Sequence, residues 1–239
     1  MIDLVDAIER LLAAYGPRGW WPLPSRAGNE GRDADGYLRG PSIPVSGDDG
    51  SAEAARFEIA VASVLTQNTA WKGAGKALAS LGSKGLLSPS ALAAADDREL
   101  YEAIKPAGTF RRKAGYLRAL AAAWQALDGE TPTRGRLLGI PGIGFETADC
   151  IMMYCFGAPA FIADAYARRI LSRIGLTGSG CDYESVRAWA EKRMPMDAAW
   201  LAEAHALMVE HAKRYCRAKP ACDGCPLASN CAFVLNKQE

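Results

Sequence analysis

The chain has 239 residues, 49% of them apolar, and a formal net charge of +1 from 28 Lys and Arg against 27 Asp and Glu. That length and composition support one or two closely packed subdomains, and a charge so near zero makes no case by itself for a nucleic-acid partner. No apolar run reaches the ~20 residues of a membrane span, and the acidic opening with Asp3 and Asp6 is not that of a signal peptide, so a cytoplasmic protein without membrane contact is expected.

Residues 1–16 read as an amphipathic helix. Trp20-Trp21-Pro22 follows, and then residues 26–51, rich in Gly, Asp, Pro, Ser and Arg, predict a long surface loop or a small hairpin. Phe57 to Leu65 is almost wholly apolar and predicts a buried helix; residues 113–127, 185–193 and 201–214 show helical period with one polar side. Ser88-Pro89 and Asp182-Tyr183-Glu184-Ser185 are plausible helix starts, and Gly129, Gly157 and Gly175 plausible stops. Strand signals are nearly absent, so the fold class is all-α. Positive charge gathers at residues 105–113 (Lys105, Arg111, Arg112, Lys113), at residues 168–173 and around the last cysteines. Such clusters are more often solvated helix faces than binding sites.

Four cysteines, Cys216, Cys222, Cys225 and Cys231, form a C-x5-C-x2-C-x5-C run beside Lys213, Arg214, Arg217 and Lys219. The run is open to a disulfide pair, a zinc ion or an iron–sulfur cluster. Tetrahedral zinc sites usually pair two short chelating turns across a longer loop. Here only Cys222-Asp223-Gly224-Cys225 is such a turn, which favours a [4Fe–4S] cubane ligated by all four. The other cysteines, Cys150, Cys155 and Cys181, are dispersed, as in a reducing compartment.

Between two helical stretches lies Leu138-Gly139-Ile140-Pro141-Gly142-Ile143-Gly144. Pro141 fixes the entry to the turn, while Gly142 and Gly144 permit positive φ and leave no Cβ in the way. Successive backbone N–H groups around Ile143 can then converge on a phosphate oxygen, helped by the next helix N-terminus. An ordinary helix–helix turn with glycine caps is the plain alternative. About twenty residues on, Asp164 stands immediately before a helix, where a simple N-cap is again the plain alternative.

Taken in order, the hairpin, the Asp at a helix start and the four-cysteine run resemble the endonuclease III superfamily of base-excision DNA glycosylases, over residues 57–231. The usual family spacing is C-x6-C-x2-C-x5-C, one residue longer in the first gap. The resemblance implies two helical subdomains with a DNA-binding cleft between them, and a monomer acting on double-stranded DNA with a damaged base. Its expected divisions are residues 1–52 (terminal helix and polar insertion, packing with the C-terminal half), 53–163 (helical barrel with the hairpin) and 164–239 (C-terminal helices, cluster loop at 216–231). It makes Asp164 the catalytic carboxylate, Gln67 in Leu65-Thr66-Gln67-Asn68-Thr69 the residue that fills the gap of a flipped base, and Pro141, Gly142, Ile143 and Gly144 the grip on DNA.

Members that also cut the strand carry a lysine in the hairpin where this chain has Glu146. A carboxylate cannot form a Schiff base with the sugar, so a monofunctional enzyme is expected. The Trp-Trp-Pro run, the segment around Gln67 with its following Trp71, and Glu146 are similar to the 3-methyladenine DNA glycosylase III branch. That likeness places Trp20, Trp21, Pro22, Trp71 and Lys213 at the base pocket and makes alkylated purines the expected substrate. The branch as known lacks the cluster and the 26–51 insertion, and carries a lysine where this chain has Leu207. Two alternatives stay open: a glycosylase for oxidised pyrimidines or mismatched bases, and a non-catalytic DNA-binding iron–sulfur protein. His205 and His211, six apart on one helix, suggest no metal site.

Overall fold

The computed structural model describes residues 2–18, 21–29, 31–34, 36–37 and 50–236. Trp20 and much of the expected 26–51 loop lie outside the described residues. Along the chain run α1 (Leu4–Tyr15), α2 (Gly50–Leu65), α3 (Trp71–Ser83), α4 (Pro89–Ala94), α5 (Asp97–Ile104), α6 (Phe110–Gln125), α7 (Arg134–Leu138), α8 (Phe145–Phe156), α9 (Ala165–Arg173), α10 (Tyr183–Glu191), α11 (Ala198–Arg214) and α12 (Ala232–Leu235). No strand occurs among the described residues, and no described helix is long and apolar enough to cross a membrane. The chain is all-α.

Two compact units form. One takes its described residues from both ends of the chain, up to Arg18 and from Pro159 onward; the other takes those from Trp21 to Ala158.

The central unit is built round α2. Phe57, Ile59, Val61, Val64 and Leu65 are all fully buried, because a helix apolar on every side must be covered on every side. Helices α3, α6 and α8 cover it. At ~1.5–3 kcal/mol per large side chain, those five contribute on the order of 10 kcal/mol of gross burial energy. One acid sits among them: Glu58 accepts the Ser25 N–H at 3.2 Å and ties the 21–37 segment to α2. Burial, the largest cause, pushes its carboxyl above the ordinary value.

The expected helix ends hold locally. Ser88 caps α4 by accepting Ala91 N–H at 3.2 Å, and Asp182 caps α10 by accepting Ser185 N–H at 2.8 Å. Gly157 closes α8 at φ +67. The stop at Gly129 comes late: α6 ends at Gln125, and Asp128 and Gly129 turn the chain at φ +48 and +81.

In the terminal unit α11 lies against α1 and α9. Leu4, Ala7, Ile8 and Leu11 are the buried face of α1, as its amphipathic pattern predicts. Arg10 donates to Asn230 Oδ1 at 2.7 Å, and Arg18 N–H to the buried Glu203 at 2.6 Å. The two chain ends are thereby stitched together.

Candidate active site and nucleic-acid interface

The hairpin between α7 and α8 is held from below. Arg134, at the start of α7, donates through Nε and Nη2 to both oxygens of Asp149 on α8, at 2.7 and 3.0 Å, and Asp149 is 1% exposed. A two-pronged bond of this kind fixes orientation as well as distance. The Arg134 guanidinium also lies 5.2 Å from the Phe145 ring centroid. Gly142 turns the chain at φ +87, and a Cβ there would stand 2.1 Å from Cγ of Tyr116. The tyrosine ring of α6 thus occupies the space that any side chain at 142 requires.

Gly144 differs from its expected role. Its backbone is extended, φ −92, and a Cβ there meets nothing within 4 Å. Its contribution is an uncrowded N-cap for α8 that makes no side-chain cap bond of its own. Pro141 and Gly144 are exposed, Gly142 half-buried and Ile143 buried. A turn and helix N-terminus exposed on this side can receive a phosphate oxygen. Glu146 is exposed in the first turn of α8.

Gln67 sits in the turn after α2, and its Nε2 donates to Gly142 O at 2.9 Å and to Thr147 Oγ1 at 3.0 Å. The side chain therefore rests on the hairpin, 75 residues further along the chain. Next to it Asn68 adopts φ +50. Lys113 secures the turn from inside. It is 2% exposed, and Nζ donates to Leu65 O at 2.6 Å, Thr69 Oγ1 at 2.7 Å and Ala107 O at 2.9 Å. Burial brings its ammonium down to about 8. Lys113 is thus no part of a surface basic patch, in contrast to the exposed Lys105, Arg111 and Arg112 of the same run.

Of the expected pocket residues, Trp21 and Trp71 come together. Trp21 meets Trp71 edge to face, ring centroids 6.3 Å apart at 79°, and leans on Tyr154 at 5.0 Å. Trp21 takes φ +46, and its indole N–H is buried without a hydrogen-bond partner. Pro22 is buried beside it in sequence. Tyr154 carried no signal of its own in the sequence; it is one more apolar position of α8.

In the terminal unit Asp164 caps α9. Oδ1 accepts Ala167 N–H at 2.7 Å, while Oδ2 lies 3.7 Å from His205 Nε2 on α11. The carboxylate is 7% exposed. The cap uses one oxygen and leaves the other turned toward an imidazole. That neighbour was not readable in advance, since His205 is 41 residues downstream. Lys213 is exposed in the last turn of α11.

The four cysteines Cys216, Cys222, Cys225 and Cys231 are all free thiols. Burial and then the surrounding sulfurs of Cys231, Cys216 and Cys222 raise the Cys225 thiol above its ordinary value. All four belong to the one stretch between α11 and α12. Among the described residues, however, no three His, Cys, Asp or Glu side chains close on a point that could hold one metal ion. Arg173 donates to Cys216 Sγ at 3.4 Å and to Arg217 O and Ala218 O at 2.6 and 3.0 Å; Arg169 donates to Cys216 O at 2.8 Å. Gly224 turns the Cys222–Cys225 segment at φ +70. Behind Cys225 stands His211, its Nε2 3.8 Å from the sulfur and its Nδ1 2.8 Å from Tyr15 Oη; burial brings it down to about 4.

An all-helical chain with a glycine hairpin, an Asp at a helix start and a four-thiol loop is that of a helix-hairpin-helix DNA-repair protein. Residues 61–196 match the HhH-GPD superfamily of base excision DNA repair proteins, and the chain belongs to that family. A provisionally named DNA repair glycosylase of Methanocaldococcus jannaschii is 32% identical over 232 residues, 92% of each chain. The fold is that of endonuclease III in a non-covalent complex with DNA, at TM-score 0.74 and 22% identity over 100% of this chain and 99% of that one. It is also like the H. pylori 3-methyladenine DNA glycosylase bound to 1,N6-ethenoadenine, at TM-score 0.60 and 25% identity over 66% of this chain and 85% of that one. The protein is a DNA glycosylase of base excision repair, of the endonuclease III type.

Proposed function

We propose that this glycosylase removes alkylated purines, 3-methyladenine first, by hydrolysis and without cutting the strand. The observation that carries the substrate is the aromatic set: Trp21 against Trp71 with Tyr154 beneath. An N3- or N7-methylated purine is a cation, which is held well against aromatic faces and leaves readily because its own charge weakens the glycosidic bond. The likeness to a 3-methyladenine glycosylase supports the same reading.

The damaged nucleotide leaves the stack at a cost of a few kcal/mol. Gln67 fills the space, while Pro141, Gly142, Ile143 and Gly144 hold the backbone through N–H groups. As the glycosidic bond breaks, positive charge develops on the deoxyribose. The Asp164 carboxylate stabilises it and orients the attacking water through Oδ2, the oxygen that does not cap α9. A unit pair at ~4 Å and an effective dielectric near 20 is worth roughly 4 kcal/mol, about 10³-fold in rate. Glu146 stands where strand-cutting members carry lysine, and a carboxylate offers no amine for a Schiff base.

Cys216, Cys222, Cys225 and Cys231 would hold a [4Fe–4S] cluster. Four cysteines within one short loop, only Cys222 and Cys225 of them in a chelating turn, fit a cubane, whose ligands sit at four corners, better than zinc. The cluster would supply cross-linking of the C-terminal loop, and no step of base removal passes through it.

One observation favours the rival substrate class. The partnerless indole N–H of Trp21 is a donor that a neutral base carrying carbonyl oxygens could use, as an oxidised pyrimidine or mismatched thymine does. A panel of duplexes carrying 3-methyladenine, thymine glycol or a mismatched thymine, scored separately for free base and for nicks, decides between them. Release of thymine glycol or mismatched thymine with methylated DNA untouched overturns the alkylpurine reading.

A further inference from the structure

The basic run at residues 168–173 is used unequally. Arg169 and Arg173 turn to the backbone of the cysteine loop. Arg168 does not: its side chain makes no hydrogen bond or ion pair among the described residues, and its Nε is buried without a partner. Nearby, Thr177 Oγ1 is buried and partnerless as well. Both line a cavity of about 210 Å³ shared with Arg169, Ser172, Ser179 and Cys181. No Asp or Glu lines it. The exposed Gly178-Ser179-Gly180 segment at its edge adds backbone N–H groups that find no acceptor among the described residues. A concave site with one uncommitted guanidinium group, several hydroxyls and no carboxylate is matched by an oxyanion. Buried donors in native proteins are seldom left unanswered by protein, ordered water or a bound ligand.

We propose that this cavity, between α9 and the turn that follows it, binds a phosphate group, and that the phosphate is one of the DNA backbone beside the damaged nucleotide. Asp164, Arg168 and Ser172 follow one another at four-residue spacing from the N-cap of α9, so they share one side of the helix. At a rise of ~1.5 Å per residue, Arg168 lies ~6 Å and Ser172 ~12 Å along the axis from Asp164. With ~3.4 Å of duplex axis per nucleotide on a strand, that reach is about two to four nucleotides. The choice of phosphate rests on Asp164 facing the damaged nucleotide; the oxyanion site itself rests only on the cavity.

The test is binding of the full-length protein to undamaged duplex DNA across a salt series, for wild type, Arg168→Gln, Arg168→Lys and Thr177→Val. Loss of one phosphate contact in Arg168→Gln lowers the slope of log K against log salt by about 0.9. Wild type then loses about 3.5-fold more affinity than the variant between 50 and 200 mM salt. Arg168→Lys, which keeps the charge, retains most of the slope, and Thr177→Val weakens binding without changing it. Damaged and undamaged duplexes are affected by the same factor. An unchanged slope in Arg168→Gln overturns the DNA assignment. In a second arm, inorganic phosphate is titrated against thermal unfolding: stabilisation of wild type but not of Arg168→Gln, with slopes equal, transfers the site to a free phosphate. No difference in either arm overturns the site altogether. Because undamaged DNA is bound without excision, failure of the alkylpurine reading leaves this measurement intact.

Discussion

Gly142→Ala isolates what the hairpin demands of its sequence. Two costs arise. At φ +87 a Cβ strains the backbone, by roughly 1–2 kcal/mol for the left-handed region. The same Cβ would stand 2.1, 2.3 and 2.5 Å from Cγ, Cδ1 and Cδ2 of Tyr116, inside the contact distance of the ring. Ring or turn must move, and overpacking of this kind costs about 1–3 kcal/mol. The expected loss is therefore about 2–5 kcal/mol of a total near 5–15, read as a lowered urea midpoint by circular dichroism. Gly144→Ala is the control: its backbone is extended and its Cβ meets nothing within 4 Å, so only the cost of Ala at an N-cap remains, about 0.5–1 kcal/mol. In the double variant Gly142→Ala/Tyr116→Ala the steric part is recovered and the strain remains, a non-additivity that a double-mutant cycle measures. Should Gly142→Ala cost under about 0.5 kcal/mol, or should Tyr116→Ala recover nothing, the steric account of the hairpin is wrong.

Asp164→Asn is expected to keep lesion-DNA binding and lose base release by at least about 10²-fold in single-turnover assays; wild-type excision would reduce Asp164 to a helix cap. Borohydride reduction during turnover should trap no protein–DNA adduct above background, since Glu146 fills the lysine slot; efficient trapping would identify another amine, with exposed Lys213 the first to test. Purified protein should be yellow-brown, with a broad absorbance near roughly 400 nm from iron–thiolate charge transfer, and a colourless protein with one zinc per chain would show a zinc module instead. Trp71→Ala should lower excision from methylated DNA, stacking being worth on the order of 1–3 kcal/mol per face, while binding to an abasic-site analogue stays nearly unchanged; equal loss of both would make Trp71 a packing residue.

What was legible in the sequence was local. Glycine at 142 and the caps at Ser88, Asp164 and Asp182 are decided within a few residues, and the structure shows each where the pattern put it. Helix α2 was recognisable from its apolar run, yet it begins seven residues before Phe57, at Gly50, because alanines extend a helix without marking a face. What was not legible depends on contacts across the chain. Lys113 reads as one more charge in a basic run, and only its partners at Leu65, Thr69 and Ala107 show that it is inside. The same holds for His211 behind Cys225, for Tyr154 beneath Trp21, and for the division of labour among Arg168, Arg169 and Arg173. Charge in a sequence says what a residue can bind, and burial decides whether that partner is protein or ligand.

The pairing of Gln67 with the hairpin carries this furthest. Its amide donates to Gly142 O and Thr147 Oγ1, while Lys113 fixes the turn on either side through Leu65 O and Thr69 Oγ1. In the role proposed for it, Gln67 must leave the hairpin to enter a duplex. Two hydrogen bonds at roughly 0.5–1.5 kcal/mol each are then exchanged for contacts with the orphaned base. That exchange is of the same order as the few kcal/mol needed to flip a nucleotide, so the resting bonds are a real term in the balance and not a detail of packing. They would also bring the proposed gap-filling and backbone grip onto one piece, since the carbonyl that holds Gln67 belongs to the same glycine whose turn carries the amides proposed to bind phosphate. A change that loosens the turn, at Gly142 or at Lys113, is therefore expected to weaken both together, whereas a change at the Gln67 amide alone weakens only the first.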